Sequence, residues 1–366
     1  MRTTVCRTGL CLVLALALLA GRGSCLETSA ASAILVEQSG GRVLYERDAD
    51  QRRLIASITK IMTALVALEH GDLSSTYTVT AEDMAEGSSM YLKPGDQLTL
   101  EELLYGLMLS SGNDAALAAA HCVSGELEDF VALMNETAQA LGMADSHFSN
   151  PNGLDAEDHY STARDMARLT CRAMENADFC RIVSTASVTI GDRYLQNHNK
   201  LLRTYRGCLG VKTGFTKAAG RTLVSAAQRD GMTLICVTLS DGDDWRDHAA
   251  LLDYGFETYH METAVPAGRV LASVSVTGSA AASVPLAADR DLACPLTGEE
   301  RLRVAARLPV SIPAPVVPGQ KVGEAVAYLD GQEMARVDLV AAAPAARIEE
   351  PSPERGSFWD RLFDRS

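Results

Sequence analysis

The apolar run at residues 54–70, LIASITKIMTALVALEH, constrains the fold more than any other segment. Most of its residues are Ile, Leu, Met, Ala or Val, which predicts a helix that is buried on all sides. Other layers must then pack around it, and 366 residues are enough for the sizeable core that this requires. Ser57, Thr59 and Lys60 interrupt the head of the run. A buried ammonium group is costly unless it is paired, so these residues need a chemical explanation.

The segments around this helix predict an α+β fold. SAILVEQSGGRVLYERDAD has two short apolar runs on either side of Gly40-Gly41, which predicts a hairpin. Helical patterns follow between residues 98 and 175. Three strand-like segments come next, CLGVKTGF, RTLVSAAQ and MTLICVTLS, before a closing helix, DDWRDHAALLDYGFETY. Strands separated from helices in this way indicate an antiparallel sheet backed by helices.

Composition divides the rest of the chain. We predict a signal peptide over residues 1–24, a first domain over residues 25–261 and a small all-β domain over residues 262–343, where apolar and polar residues alternate. Residues 344–366 are predicted to be a Pro- and Ala-rich linker with an amphipathic end. That end places four large apolar residues on one helical face, which favours a weak membrane-surface anchor. They are Phe358, Trp359, Leu362 and Phe363.

The N-terminal segment and the charge limit the class of protein. Arg2 and Arg7 precede an apolar stretch that is too short to span a membrane, so we expect an exported protein. Cys25 raises lipidation as an alternative to ordinary cleavage, although Arg22 is unusual for a lipoprotein signal. The net charge of −14 disfavours nucleic-acid binding. The nine cysteines contain no CxxC pair, which disfavours a zinc or redox site.

Ser57 and Lys60 are placed for nucleophilic catalysis. Residues three apart lie on one face of a helix, one turn from each other. A serine hydroxyl needs a base before it can attack a carbonyl, and a neutral lysine can be that base. Burial in the apolar helix and a second cation, Lys212, would both lower the pKa of Lys60 toward neutrality. The sequence therefore predicts Ser57 as nucleophile and Lys60 as general base.

Two further triplets add to this pair. Ser111-Gly112-Asn113 is predicted in a loop between helices, where Ser111 could relay a proton to a leaving amine and Asn113 could hold a substrate amide. Lys212-Thr213-Gly214 is predicted at the end of a strand.

That strand could pair with an extended peptide. Lys212 and Thr213 would meet a substrate carboxylate, and Gly214 would let the substrate backbone approach. The backbone N–H groups of Ser57 and Phe215 could form an oxyanion hole.

The three triplets together resemble a known family. S-x-x-K alone is a weak signal, but Lys60 is the only one of six lysines with a serine three residues before it. All three motifs in this order resemble the exported low-molecular-mass penicillin-binding proteins, the D-alanyl-D-alanine carboxypeptidases. The similarity covers residues 30–343 and includes several longer segments. These are MYLKPGDQLTLEELLYGLMLSSGNDAA, FSNPNGLD, YSTARDMARL, NHNKLL and GVKTGFTKAAGRTLV.

The resemblance implies a fold and a reaction. It implies a penicillin-binding or β-lactamase-like transpeptidase domain followed by a small all-β domain. Ser57 would attack the D-Ala-D-Ala bond of a peptidoglycan stem peptide, terminal D-alanine would leave, and water would release the acyl group. β-Lactams would acylate the same serine, and neither a metal nor an organic cofactor is implied. Phe215 departs from the members that have histidine after K-T-G, so we expect an altered rate or drug response rather than loss of activity.

Other interpretations remain open at this point. Ser57 could be a simple helix cap and Lys60 could extend to the surface. His198 is a weaker candidate for the cleft, since solvent-facing histidines are common. A β-lactamase would need a carboxylate to activate the deacylating water, and HFSNPNGLD has no glutamate. A silent binding module would bind penicillin or wall peptide without releasing D-alanine.

Overall fold

The computed structural model describes residues 26–348 in two compact units. The first contains the described residues up to Val36 together with Val43–Ala227 and Leu234–Gly255. The second contains Glu37–Arg42, Gln228–Thr233 and the chain from Phe256 onward. The predicted signal peptide, Cys25 and the apolar end of the predicted anchor lie outside the described residues.

A five-stranded sheet forms one layer of the first unit. Its strand order is β2-β1-β9-β8-β7, and the pairs β1–β2 and β7–β8 are antiparallel. Strand β7 is therefore an edge strand of this sheet. The five strands are β1 (Ser32–Glu37), β2 (Val43–Arg47), β7 (Cys208–Thr216), β8 (Gly220–Arg229) and β9 (Met232–Leu239).

Two short hairpins accompany the sheet. They pair β3 (Thr76–Thr78) with β4 (Gln97–Thr99) and β5 (Ser187–Ile190) with β6 (Arg193–Gln196).

Helices supply the rest of the first unit, with α1 at the centre. All residues of α1 from Lys60 to Ala67 are buried, and this helix packs against five others, α2 to α6. The helices are α1 (Lys60–His70), α2 (Leu100–Leu109), α3 (Asn113–Ser124), α4 (Leu127–Ala140), α5 (Ala163–Ala173), α6 (Ala177–Ser184), α7 (Leu201–Thr204) and α8 (Asp244–Thr258). The predicted α+β architecture is confirmed.

Local structure departs from the sequence prediction at the head of α1. Residues Ala56–Thr59 form a 3-10 turn, and the α-helix begins only at Lys60. Ala56 adopts the left-handed region, with φ of 50°, so the chain bends sharply just before Ser57. Residues 56–70 therefore form a strained turn followed by a helix, where the pattern over residues 54–70 predicts one continuous helix.

The second unit is built from β-strands. Its six-stranded sheet has the order β14-β16-β17-β12-β11-β15, and β10 pairs separately with β13. The core of this unit includes Val274, Leu286 and Leu339, which come from three different strands. The strands are β10 (His260–Val265), β11 (Val270–Thr277), β12 (Ser283–Ala288), β13 (Leu292–Leu296), β14 (Arg303–Arg307), β15 (Ser311–Pro313), β16 (Lys321–Leu329) and β17 (Gln332–Ala341).

The chain stays packed against the second unit beyond residue 343, the predicted end of the all-β domain. Ala345 is buried and bridges to Val316, and the Ile348 N–H donates to the carbonyl of Gly278. The start of the predicted linker, from residue 344 to residue 348, is therefore tied to the second unit. Among residues 26–348, no helix combines the length and hydrophobicity that a membrane crossing requires.

Candidate active site

The 3-10 turn Ala56–Thr59 presents Ser57 at the head of α1. Behind the turn lies Gly153, whose φ is 82°. A Cβ on Gly153 would lie 2.1 Å from the carbonyl oxygen of Ala56, so only glycine allows this approach. Thr59 ties the turn together, since its hydroxyl donates to the Ala56 carbonyl at 2.8 Å. These contacts fix the backbone that carries Ser57.

Lys60 is fully buried one turn beyond Ser57. Its Nζ lies 3.2 Å from Ser57 Oγ, 2.7 Å from Asn113 Oδ1 and 2.5 Å from the carbonyl oxygen of Asn152. Burial lowers the pKa of Lys60 well below its ordinary value, and the charge of Lys212 lowers it further, while Asp114 opposes the shift. No carboxylate is hydrogen-bonded to Nζ among the described residues, so the neutral amine is favoured.

The hydrogen-bond partners of Lys60 also orient its lone pair. Asn113 Nδ2 donates to the carbonyl of Glu86 at 2.5 Å, which turns Asn113 Oδ1 toward Lys60. Asn113 Oδ1 and the Asn152 carbonyl can only accept, so they take the two hydrogens of the neutral amine. The lone pair is then left to accept the proton of Ser57 Oγ. This arrangement fits a general base.

Ser111 and Lys212 form a second buried pair. Ser111 adopts the left-handed region with φ of 59°, which is uncommon outside glycine and is a recurrent feature of functional sites. Lys212 Nζ donates to Ser111 Oγ at 3.0 Å and to the Thr213 carbonyl at 2.7 Å. Burial lowers the pKa of Lys212 to about 7. Lys212 thus orients the Ser111 hydroxyl.

Strand β7 brings the third motif against the nucleophile turn. A Cβ on Gly214 would lie 2.9 Å from the Ser57 nitrogen and 2.4 Å from Thr222 Oγ1, so the strand and the turn are in close contact. Phe215 follows with 65% of its surface exposed. Because β7 is an edge strand of the sheet, an extended peptide could pair with it where it borders the cavity, at Thr213–Phe215.

These elements surround a cavity of about 320 Å³ in the first unit. Five predicted site residues line it, namely Ser57, Ser111, Thr213, Gly214 and Phe215. Lys60, Asn113 and Lys212 lie buried and contact one another or the serines. A larger cavity in the second unit, about 630 Å³, contains none of the predicted residues, and its walls carry no nucleophile–base pair.

The predicted substrate contacts of Asn113 and Lys212 stay predictions. In the structure both side chains are engaged with protein groups, Asn113 with Lys60 and Glu86, and Lys212 with Ser111. His198, the weaker sequence candidate, does line the cavity.

Sequence reasoning missed residues that reach the site from distant segments. The Asn152 carbonyl on Lys60 comes from FSNPNGLD, a segment whose pattern predicted no contact with Lys60. His159 supports the turn, since its Nε2 lies 2.7 Å from Thr59 Oγ1 and its Nδ1 accepts from the Ser149 N–H at 3.1 Å. Burial lowers the pKa of His159 to about 4, which keeps it neutral.

Arg221 and Trp245 were also missed as lining residues of the cavity. Asp244 fixes Arg221 through two hydrogen bonds of 2.7 and 2.8 Å, and the guanidinium lies 5.6 Å from the Trp245 ring centre. Arg221 lies in GVKTGFTKAAGRTLV and Trp245 in the predicted closing helix, but nothing in either segment marked these two side chains as part of a site.

A serine paired with a buried lysine beside an edge strand defines a serine acyl-transfer enzyme. Sequence comparison gives the family. A profile described as D-alanyl-D-alanine carboxypeptidase matches residues 21–243, and one described as penicillin-binding protein 5, C-terminal domain, matches residues 259–345. The chain belongs to the D-alanyl-D-alanine carboxypeptidase family.

Individual relatives agree with this assignment. The chain is 33% identical over 338 residues to D-alanyl-D-alanine carboxypeptidase DacF of Bacillus subtilis, covering 87% of each chain. It is also 33% identical over 359 residues to DacA of Escherichia coli, covering 92% of this chain and 87% of that one. The solved structure of penicillin-binding protein 5 from Haemophilus influenzae is 29% identical with a TM-score of 0.75, covering 88% of this chain and 98% of that one.

Proposed function

We propose that this chain is an exported serine carboxypeptidase that removes the terminal D-alanine from peptidoglycan stem pentapeptides. The observation that carries the proposal is the buried Lys60, whose Nζ lies 3.2 Å from Ser57 Oγ and whose pKa is held well below its ordinary value by burial. Family membership supplies the substrate class, since the matching relatives are D-alanyl-D-alanine carboxypeptidases.

The reaction begins with attack by Ser57. Lys60 accepts the hydroxyl proton while Ser57 Oγ bonds to the carbonyl carbon of the D-Ala-D-Ala peptide bond. The backbone N–H groups of Ser57 and Phe215 would bind the oxyanion. The C–N bond then breaks. Ser111, oriented by Lys212, gives its proton to the departing amine of D-alanine and takes the proton held by Lys60, so that Lys60 is neutral again. The product is an ester between Ser57 and the shortened stem peptide.

Hydrolysis of this ester completes the cycle. A water molecule attacks the ester carbonyl while the neutral Lys60 takes its proton. Lys60 then gives that proton to Ser57 Oγ as the C–O bond to the acyl group breaks, so both Ser57 and the base are regenerated for the next cycle. A β-lactam would acylate Ser57 by the same first step, because its strained amide occupies the place of the peptide bond.

Two alternative functions are less well supported by the site. A β-lactamase needs a carboxylate free to activate water. Among the described residues that line the cavity, the one carboxylate is Asp244, and Arg221 holds both its oxygens. A silent binding module would not need a buried lysine of lowered pKa beside its serine. The site therefore favours turnover.

D-Alanine release from a stem pentapeptide tests the proposed function. The chain from residue 26 onward should release one D-alanine per peptide and become labelled by a fluorescent penicillin. Ser57→Ala should lose both activities, and Ser283→Ala, an exposed serine in the second unit, should lose neither. Turnover by Ser57→Ala would contradict the role of Ser57. Penicillin labelling without D-alanine release would favour the binding module.

We further infer that residues 1–24 direct export and that the amphipathic end, residues 358–363, holds the protein weakly to a membrane surface. Since packing continues to residue 348, truncation after residue 348 removes the anchor and leaves the second unit intact. The truncated chain should move from the membrane to the soluble fraction while retaining D-alanine release. Continued membrane association would place the attachment elsewhere.

A further inference from the structure

A second cavity of about 330 Å³ lies beside the catalytic cavity in the first unit. Two tyrosines on its rim are unusually open, since Tyr91 is 79% exposed and Tyr194 is 66% exposed. Polar side chains from Ser89, Lys93 and Asp192 also line it. None of these groups takes part in the proposed reaction. Two large aromatic side chains exposed to water at one opening indicate a binding surface.

The backbone at Tyr91 is strained in a way that keeps its ring outward. Tyr91 has φ of 64°, a region that bulky residues rarely adopt. Buried Asp114 holds the residues on either side, because it accepts from the Met90 N–H and the Leu92 N–H, each at 3.0 Å. The Tyr91 N–H donates to Ser89 Oγ, which itself donates to Asp114. Such strain persists only where neighbouring contacts impose it.

The two tyrosines are tied to each other through Arg193. This residue precedes Tyr194 on β6, and its guanidinium donates to the Tyr91 carbonyl at 3.3 Å and to Asp96 at 2.5 Å. Arg193 is largely buried by these contacts, with 17% of its side chain exposed. The loop of Tyr91 and the β5–β6 hairpin therefore form one prearranged rim.

A thin wall separates this second cavity from the catalytic one. Ser88 and Ser111 line the catalytic cavity, whereas their chain neighbours Ser89 and Ser110 line the second. Adjacent Cα atoms are about 3.8 Å apart, so the wall is one residue thick at both places. Four residues of extended stem peptide span roughly 13 Å, which is enough to cross it.

We propose that the second cavity binds the N-acetylated amino sugar to which the stem peptide is attached. This inference rests on the proposed function, because the occupant is the part of the substrate beyond the scissile bond. A pyranose ring has an apolar C–H face that packs against an aromatic ring, while its hydroxyl and acetamido groups need hydrogen-bond partners. Tyr91 and Tyr194 supply the first kind of contact, and Lys93 and Asp192 supply the second.

A pair of matched substrates tests the sugar site. The free stem pentapeptide is compared with the same pentapeptide carrying an N-acetylmuramyl group at its N-terminus. The sugar should raise kcat/KM about tenfold, through a lower KM. Tyr91→Ala and Tyr194→Ala should each remove much of this gain, while Tyr91→Phe and Tyr194→Phe, which retain the aromatic ring, should keep it. Kinetics on the free pentapeptide should be the same in all four variants.

Three results would overturn the sugar site. One is equal kcat/KM for the two substrates. Another is a drop in kcat/KM of the alanine variants that is as large for the free pentapeptide as for the sugar-linked one, which would assign the cavity to the peptide. The third is a gain that survives in the Tyr91→Ala, Tyr194→Ala double variant. Absence of D-alanine release from the free pentapeptide would instead overturn the proposed function, so the two failures are distinguishable.

Discussion

Thr59 lies between the proposed nucleophile and its base, and its hydroxyl holds the turn in place. It donates to the Ala56 carbonyl and accepts from His159, whose other ring nitrogen accepts from the Ser149 N–H. This pattern requires the neutral imidazole with its hydrogen on Nε2. His159 is therefore a positioning residue for the segment that carries Ser57 and Lys60.

Replacing His159 tests that role. His159→Ala should lower kcat for D-alanine release about tenfold with little change in KM, because a small misplacement of the nucleophile slows acylation more than binding. His159→Gln should recover part of the loss, since its amide can still donate to Thr59. His70→Ala, at the exposed end of α1, is the control. If His159→Ala lowered kcat/KM only by raising KM, with kcat unchanged, the positioning role of His159 would be contradicted.

The sequence predicted the residue pair that is local and missed the contacts that are not. Ser57 and Lys60 are three apart, so helical geometry alone brings them together. The Asn152 carbonyl and His159 reach the same turn from about a hundred residues away. No periodicity encodes such a contact. The left-handed conformation of Ala56 was equally invisible, because alanine gives no turn signal.

At the scale of elements, the meeting of β7 with the nucleophile turn decides the geometry of the cleft. The strand-like pattern of CLGVKTGF predicted β7, and the order of strands and helices predicted an α+β fold. The edge position of β7 and the close approach of Gly214 to Ser57 depend on the strand order, which the sequence pattern did not specify.

A methyl group at residue 214 tests this contact. Gly214→Ala places a Cβ 2.9 Å from the Ser57 nitrogen, so the turn or the strand must shift. We expect acylation by a penicillin to slow about 10²-fold. Gly298→Ala is the matched control, because a Cβ there meets no atom within 4 Å. Wild-type acylation by Gly214→Ala would show that the contact is not needed.

At the scale of the whole molecule, the active site lowers stability. Burial holds the pKa of Lys212 at about 7, whereas an unfolded lysine titrates near 10.4. Between these values the unfolded chain binds more protons than the native one, so the free energy of unfolding rises with pH. A protein selected for stability alone would place an apolar residue here.

Lys212→Met removes this pH dependence. From pH 7 to pH 10, the free energy of unfolding of the wild type should rise relative to that of the variant, by on the order of 4 kcal/mol. Lost hydrogen bonds to Ser111 and Thr213 add a difference that does not vary with pH. Denaturant titrations of both proteins across this range measure the effect. A constant difference would mean that Lys212 is protonated in the native state throughout.

The most direct test of the account is to locate the covalent intermediate. The chain from residue 26 onward is incubated with a slowly hydrolysed β-lactam, digested and mapped by mass spectrometry. We predict one adduct per chain, on Ser57, formed at least about 10²-fold more slowly in Lys60→Ala because the base is missing. An adduct on any other residue, or unchanged acylation of Lys60→Ala, would contradict the proposed mechanism.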